Sequence, residues 1–494
     1  MNNKKTGITL VLTVLLTILS GSFTEIFAQT EKTDLIDDLE LTLDEAIQVA
    51  IANNPQVKRA LLSVDDADEL VRIAYSEVFP DISSSVNYTR NIELPVSYLP
   101  GEFFGGAPGT LVPVSFGTDN NWQGGFTVTQ TLFRGETIIG LSTSEIYKAV
   151  QKENLRSTTQ QIITQARVAY YQVLVANEQL RLQESQIERL EHNLRENKAR
   201  QEAGIVDAYS VLQLEVQLSN QRPQLIEAKY GVDEAYRNLK VALGLPLQFE
   251  FEVVGSLNEF DILSDEATSD VNAEIKSVDR MNTFTFQKQG LDSLGLEATR
   301  GDLRLLNASL DLKDREVTAV KSRFLPTLSA TYNLAWSAAE PGTPNFFQNP
   351  EPNTDPNRFQ TLGINLSLPI FQGFKRMADV QRVKIERKDL EEQKRAAQLM
   401  AQNEVASASE AINKVFETAE ARKLALEQAN EGYVRAQKRL ENGLGSQIEV
   451  TDAEVQVRQA EVNYALMVFE YLTAKAQYDL ATGKVPYVDT SLEN

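Results

Sequence analysis

Four segments of the chain alternate strictly between two residue classes. In the first, Ile82, Ser84, Val86, Tyr88, Arg90, Ile92 and Leu94 interleave with Ser83, Ser85, Asn87, Thr89, Asn91 and Glu93. In the second, Phe126, Val128, Gln130 and Leu132 interleave with three threonines. The third and fourth place Leu328, Ala330, Tyr332, Leu334 and Trp336, then Leu362, Ile364, Leu366, Leu368 and Ile370, against Thr, Ser, Asn and Gly. A period of two means strands with one apolar and one small-polar face. The polar face suits a wet lumen, although a half-buried sheet on a soluble core has the same period. Two details favour lipid. The segments 82–94, 126–132, 327–337 and 361–370 are close to the length a tilted spanning strand needs. Tyr88, Tyr98, Trp122, Tyr332, Trp336 and Phe359 lie in or beside them, and such aromatics form interfacial girdles. The stretches 95–121 and 338–358 are rich in Gly, Pro and Asn and read as turns and coil, the long outer loops of hairpins.

Between the strand pairs the period changes. Residues 136–203 contain no proline and one early glycine, Gly140. At 1.5 Å per residue they form a helix of about 102 Å, and 374–442 form another of about 103 Å. Ordinary globular helices are several times shorter. Ala166, Val173, Leu180, Ile187 and Leu194 recur every seven residues. Leu155, Ile162, Ala169, Ala176 and Leu190 fill the companion positions, with Gln183 the polar exception. This is a coiled-coil seam. Shorter helices are expected over 43–79, 207–243, 291–324 and 447–481, and two short helices end to end match one long helix in length.

The chain is one unit written twice. Phe79-Pro80-Asp81-Ile82-Ser83 corresponds to Phe324-Leu325-Pro326-Thr327-Leu328-Ser329, and Leu132-Phe133-Arg134-Gly135 to Ile370-Phe371-Gln372-Gly373. Arg200, Gly204, Glu215-Val216-Gln217 and Gly244 recur as Arg439, Gly443, Glu454-Val455-Gln456 and Gly483. Ordered landmarks at nearly constant offset indicate internal duplication. The expected organisation is a first repeat over 29–250, a joining segment over 251–286, a second repeat over 287–484 and a tail over 485–494. Gly204 and Gly443 would be hairpin tips at one end, with Pro80 and Pro326 as helix-to-strand turns at the other.

The first 28 residues read as a secretory signal peptide. Lys4 and Lys5 precede an apolar run from Ile8 to Leu19, and Ala28 suits cleavage. The run is too short for a spanning helix, and no later stretch is apolar enough for one. A mature chain that crosses a bilayer must therefore do so as a closed barrel.

Composition narrows the chemistry. The absence of cysteine removes disulfide scaffolds, thiol catalysis, Cys-ligated zinc and acylation through an N-terminal cysteine. The single histidine, His192, makes a His-rich metal site or relay implausible. No cofactor is implied. A net charge of −21 argues against nucleic acid as a partner. There is no P-loop, GxSxG or HExxH, so an enzyme is not expected. A soluble or peripheral coiled-coil scaffold of the envelope is the alternative to a channel. Four strands cannot close a barrel, so spanning strands require assembly. Two, three or four copies would supply eight, twelve or sixteen strands, and geometry alone does not choose.

The chain resembles the TolC-like outer-membrane efflux proteins over nearly its whole mature length. The resemblance rests on Leu41-Thr42-Leu43-Asp44-Glu45-Ala46 with Asn53-Asn54-Pro55, the Pro80 and Pro326 turns, Leu132-Phe133-Arg134-Gly135, Leu368-Pro369-Ile370-Phe371-Gln372-Gly373, the Gly204 and Gly443 tips, and Leu243-Gly244-Leu245. It implies an α+β membrane protein that forms a homotrimer. Each chain would give four strands to a shared twelve-stranded outer-membrane barrel, continued by an α-helical barrel across the periplasm. It further implies an exit duct for efflux or type I secretion, docked to a periplasmic adaptor and an inner-membrane transporter, with the tips as the docking surface. The family narrows its periplasmic end with acidic rings, which fall on Glu449 and Asp452 here. Taken alone, these read as solvated charges of a first helical turn. The family's Arg and Tyr ties are replaced by Leu440 and Gly445, which implies a resting gate that is looser or held otherwise. Arg200 and Arg439, four residues before each tip glycine, would cap helix C-termini or contact an adaptor, with capping the expected role.

Overall fold

The computed structural model describes residues 40–257, 260, 262, 295–342 and 357–486. The signal peptide, most of the joining segment and the end of the tail lie outside them. A small unit contains Leu41 and Glu250–Glu252. There β1 (Glu40–Leu41) pairs with β6 (Glu252–Val253). The large unit holds everything that follows.

The expected helix over 43–79 is two helices, α1 (Leu43–Asn53) and α2 (Pro55–Ser76). A Thr42/Glu45 capping box opens α1. Asn54 breaks the run, because a residue before proline avoids the helical region; its ψ is 126°. Its side chain then accepts the Gln56 N–H at 2.8 Å, and Pro55 takes the first helical position. The second half breaks at the corresponding place, between α5 (Leu296–Thr299) and α6 (Gly301–Ser322), where Arg300 is extended. No proline stands there. Gly301 instead lets the chain approach a neighbouring backbone, since an added Cβ would lie 2.6 Å from Ser157 Cα.

The long helices are α3 (Gly135–Glu202, 68 residues) and α7 (Lys375–Glu441, 67 residues). Their return partners are α4 (Ala208–Leu243) and α8 (Gln447–Thr482). α3 packs on α2 and α6 along one half and on α4 and α8 along the other, and α7 packs on α6 and then α8. Each return helix ends against a break. Gly244 (φ +73°) and Gly483 (φ +72°) adopt the left-handed conformation. A Cβ on the first would lie 2.7 Å from Asn53 O, and on the second 2.4 Å from the Thr299 carbonyl carbon. The breaking residues reach back: Asn54 Nδ2 donates to Ala242 O (2.9 Å) and Arg300 Nη1 to Ala481 O (3.2 Å). The duplication thus extends to side-chain detail.

The heptad seam of α3 is buried at Leu155, Ile162, Ala166, Ala169, Val173 and Leu190. Leu190 packs with Leu214 and Leu218 of α4, and Leu303 of α6 with Ala401, Val405 and Ile412 of α7. Leu180, Ile187 and Leu194 are only half-buried.

The strands β2 (Asp81–Arg90), β5 (Asn120–Phe133), β7 (Thr327–Glu340) and β8 (Asn357–Ser367) form an antiparallel sheet in the order β2-β5-β7-β8. β5 starts well before residue 126. Gly124 and Gly125 mask its period, and Gly125 is required by close contact, since a Cβ there would lie 2.5 Å from Leu334 O. β8 stops short of residue 370 because Pro369 has no N–H to continue a ladder. The 95–121 loop is not all coil. It contains a hairpin of β3 (Val96–Pro100) and β4 (Leu111–Ser115), whose prolines disguised it. The strand-to-helix junctions also differ: α3 follows an extended Arg134, whereas α7 starts only after Gly373 (φ +59°) and Phe374 (φ +64°).

Candidate functional site

The registers sort the sheet into two continuous faces. Ile82 opposes Val128, Tyr88 opposes Trp122, Phe126 opposes Leu334, and Tyr332 opposes Leu362. The neighbours one residue on are Ser83 with Thr127, Asn87 with Gln123, Thr131 with Ser329, and Asn333 with Thr361. One face is therefore mainly apolar across all four strands, and the other is mainly Ser, Thr, Asn, Gln, Gly and Ala. Thr127 donates to Asn333 Oδ1 (2.9 Å) along the polar face. No described residue covers the apolar face: Val86, Leu362, Ile364 and Leu366 are exposed. From Leu328 to Ala338 it extends about 33 Å along the strand at 3.3 Å per residue. A tilt of about 40° reduces that to about 25 Å, the height of an apolar membrane band.

Aromatics collect at the far end of that band. Tyr88 and Trp122 have ring centroids 4.2 Å apart, and Phe126 meets Trp336 edge-on at 6.3 Å. Phe359 departs from the girdle expectation. It pairs with Ala335 and therefore lies on the small-polar face, because its position is odd while the girdle positions are even. Tyr98 stands on β3, outside the four-stranded sheet. Among the described residues β2 and β8 each have one open edge, and every residue of both strands is exposed. Pro80 and Pro326 each follow a helix that tightens and stops, and each immediately precedes a strand.

At the opposite end the two hairpin tips repeat each other. Gly204 and Gly443 both have φ +72°, with nothing within 4 Å of an added Cβ. The following N–H reaches back in each case, Ile205 to Arg200 O (2.9 Å) and Leu444 to Arg439 O (2.8 Å). Ile205 and Leu444 are both 74% exposed, so each tip presents one apolar side chain. Glu449 and Asp452 are exposed in the first turns of α8, on one face. Ser446 caps that helix by accepting the Glu449 N–H (3.3 Å). Arg439 donates to Leu444 O (3.2 Å) and lies 3.7 Å from the Glu449 carboxylate. It therefore caps its turn as expected, while Arg200 pairs with Glu196 instead (2.6 Å).

The sequence reading missed a polar seam between α3 and α8. Asn197 donates to Gln447 (3.3 Å), Arg189 to Glu454 (3.1 Å) and Arg167 to Asp479 (2.7 Å). Arg189 is also held by Ser185 and Gln186, and Arg458 reaches Gln221 and Gln224 of α4. The Glu454 side chain is 3% exposed, and burial raises its pKa despite the Arg189 cation. Burial likewise raises Glu461. Gln447, Glu454 and Glu461 are seven apart, a heptad signal that a search for apolar residues alone passes over.

A two-faced sheet carried on paired long helices is the architecture of the outer-membrane channel class. The chain belongs to the outer membrane efflux protein family, whose profile matches residues 46–245 and 296–484. Outer membrane protein TolC of Salmonella enteritidis is 22% identical over 445 residues, covering 89% of this chain and 82% of that protein. The alkaline protease secretion protein AprF of Pseudomonas aeruginosa is 21% identical over 469 residues, covering 92% and 87%. Among solved structures, the CmeC outer membrane channel of Campylobacter jejuni superposes with a TM-score of 0.67 at 16% identity, covering 92% of this chain and 90% of that one. The MtrE outer membrane channel of Neisseria gonorrhoeae gives 0.66 at 16% identity, covering 89% and 88%. Members of the family are channel proteins rather than enzymes, and the chain is an outer-membrane exit channel of efflux and secretion systems.

Proposed function

We propose that three copies of this chain close into one passive conduit. The observation that carries this reading is the sheet itself: four strands, an uncovered apolar face and open edges on β2 and β8. Exposed strand edges cannot stand in lipid. Pairing β8 of each copy with β2 of the next removes every edge, and three copies give a twelve-stranded barrel. The Ser, Thr and Asn face lines the lumen, the apolar face meets outer-membrane lipid, and the helices continue the duct through the periplasm. The repeats 29–250 and 287–484 supply the two halves of each subunit. The tips at Gly204 and Gly443, with Ile205 and Leu444, dock a periplasmic adaptor that joins the duct to an inner-membrane transporter. Glu449 and Asp452 form acidic rings at the entrance that favour cations. Alkaline protease secretion and pyoverdine export both occur among the relatives' names, and the polar lining accommodates either kind of cargo.

The test uses the chain's lack of native cysteine. A chain carrying both Ser85→Cys on β2 and Gly363→Cys on β8 is oxidised and run on a denaturing gel. Covalent ladders ending at three chains support the assembly. A mature chain that remains a lone subunit in buffer without detergent refutes it.

A further inference from the structure

The apolar face carries charge at only one end. Within the four strands, the charged residues of that parity are Arg90, Glu340 and Arg358. Both arginines adjoin the aromatic girdle. Arg90 follows Tyr88 by two residues, and Arg358 is the cross-strand partner of Trp336. Both are exposed, and among the described residues neither side chain has a hydrogen-bond or ion-pair partner in the protein. Glu340, half-buried on central β7, lies two strands from Arg90 across Asn120. The arginines are on the two edge strands, one on β2 and one on β8. Beside a membrane girdle, an unpaired guanidinium on the lipid-facing side meets headgroups, and its planar fork suits phosphate oxygens.

We propose that Arg90 and Arg358 form a site for the phosphate groups of outer-leaflet lipid, at the seam between neighbouring copies. The inference rests on the barrel reading above. Closing β8 of one copy onto β2 of the next sets Arg358 on the strand adjoining the neighbour's Arg90. A polyanionic headgroup there is held by two chains and ties them together, although the protein as a whole is acidic.

The full mature chain is reconstituted in phosphatidylcholine vesicles with and without lipid A, and the temperature at which the assembly dissociates is read on a gel. Lipid A raises it for the wild type. Each cation beside an anionic surface contributes about fivefold in binding, so R90Q/R358Q needs about thirtyfold more lipid A for the same rise. R90K/R358K keeps the charge and recovers part of the response. An undiminished response in R90Q/R358Q, or an equal rise from inorganic pyrophosphate in neutral vesicles, overturns the lipid site. A wild type that inserts and assembles but ignores lipid A overturns it too, leaving the barrel intact. Failure to insert into either vesicle refutes the barrel reading and this inference with it.

Discussion

The Arg189–Glu454 pair should respond asymmetrically to loss of its two members. Glu454 is buried and Arg189 is 31% exposed, so the carboxylate bears most of the desolvation. Removing one partner of a fully buried pair costs about 3–5 kcal/mol. Water reaches Arg189, which reduces the expected cost of Arg189→Ala to about 2 kcal/mol, or about thirtyfold in a local opening constant. Glu454→Gln keeps an oxygen for the guanidinium and removes the costly charge, so it should cost less than about 1 kcal/mol. The pH dependence has a definite sign. The folded pKa of Glu454 lies above its ordinary value of 4.5, so the folded state binds more protons between the unfolded and folded values. That stabilisation is complete below the unfolded pKa and is lost as pH rises through the folded one. Arg189→Ala removes the cation that holds the pKa down, so its penalty is greatest at neutral pH and shrinks on acidification. Hydrogen exchange of amides 447–461 at several pH values, corrected for intrinsic rates, measures both effects. A Glu454→Gln cost exceeding that of Arg189→Ala, or an Arg189→Ala penalty independent of pH, would refute the reasoning.

Two further perturbations probe the ends of the helices. Gly204→Ala and Gly443→Ala introduce only a left-handed backbone penalty of about 1 kcal/mol, because nothing lies within 4 Å of the new Cβ. Gly244→Ala and Gly483→Ala also force backbone contacts of 2.7 and 2.4 Å, so thermal unfolding should show at least a twofold larger loss for this second pair. Neutralising Glu449 and Asp452 together, as Gln and Asn, should lower the cation preference of single channels in planar bilayers. Unchanged selectivity would remove the two carboxylates from the entrance.

The legible parts of the sequence were those governed by a repeating period. Alternation located all four strands because each has one apolar and one polar face, and the absence of proline located both long helices. The period stops predicting the fold where a single contact overrides it. Gly125 shortened the apparent β5 because its role is to admit the β7 backbone, a contact between residues over two hundred positions apart. Arg300 broke a helix without proline because the neighbouring Gly301 packs on Ser157. Residue type groups Phe359 with the girdle, whereas parity of position places it on the other face. The tip carboxylates were identified by resemblance, and the structure adds the Arg439 contact that no pattern supplied.

The same helix pair shows how rigidity is distributed along the duct. α3 meets α4 near the tip through Leu190, Leu214 and Leu218, whose burial is insensitive to protons. It meets α8 there through Gln447 and Glu454, which water and protons can unmake. Farther up, α8 becomes apolar again at Met467, Val468 and Leu472. Polar residues at heptad positions fix register at a cost in stability. α8 is therefore aligned strongly on α3 but held weakly to it over the turns nearest Glu449 and Asp452. In the conduit proposed above, Leu440 and Gly445 offer no side-chain ties, so closure of the entrance would depend on this seam, and a substitution several turns above the tip should change conductance as much as one at the tip itself.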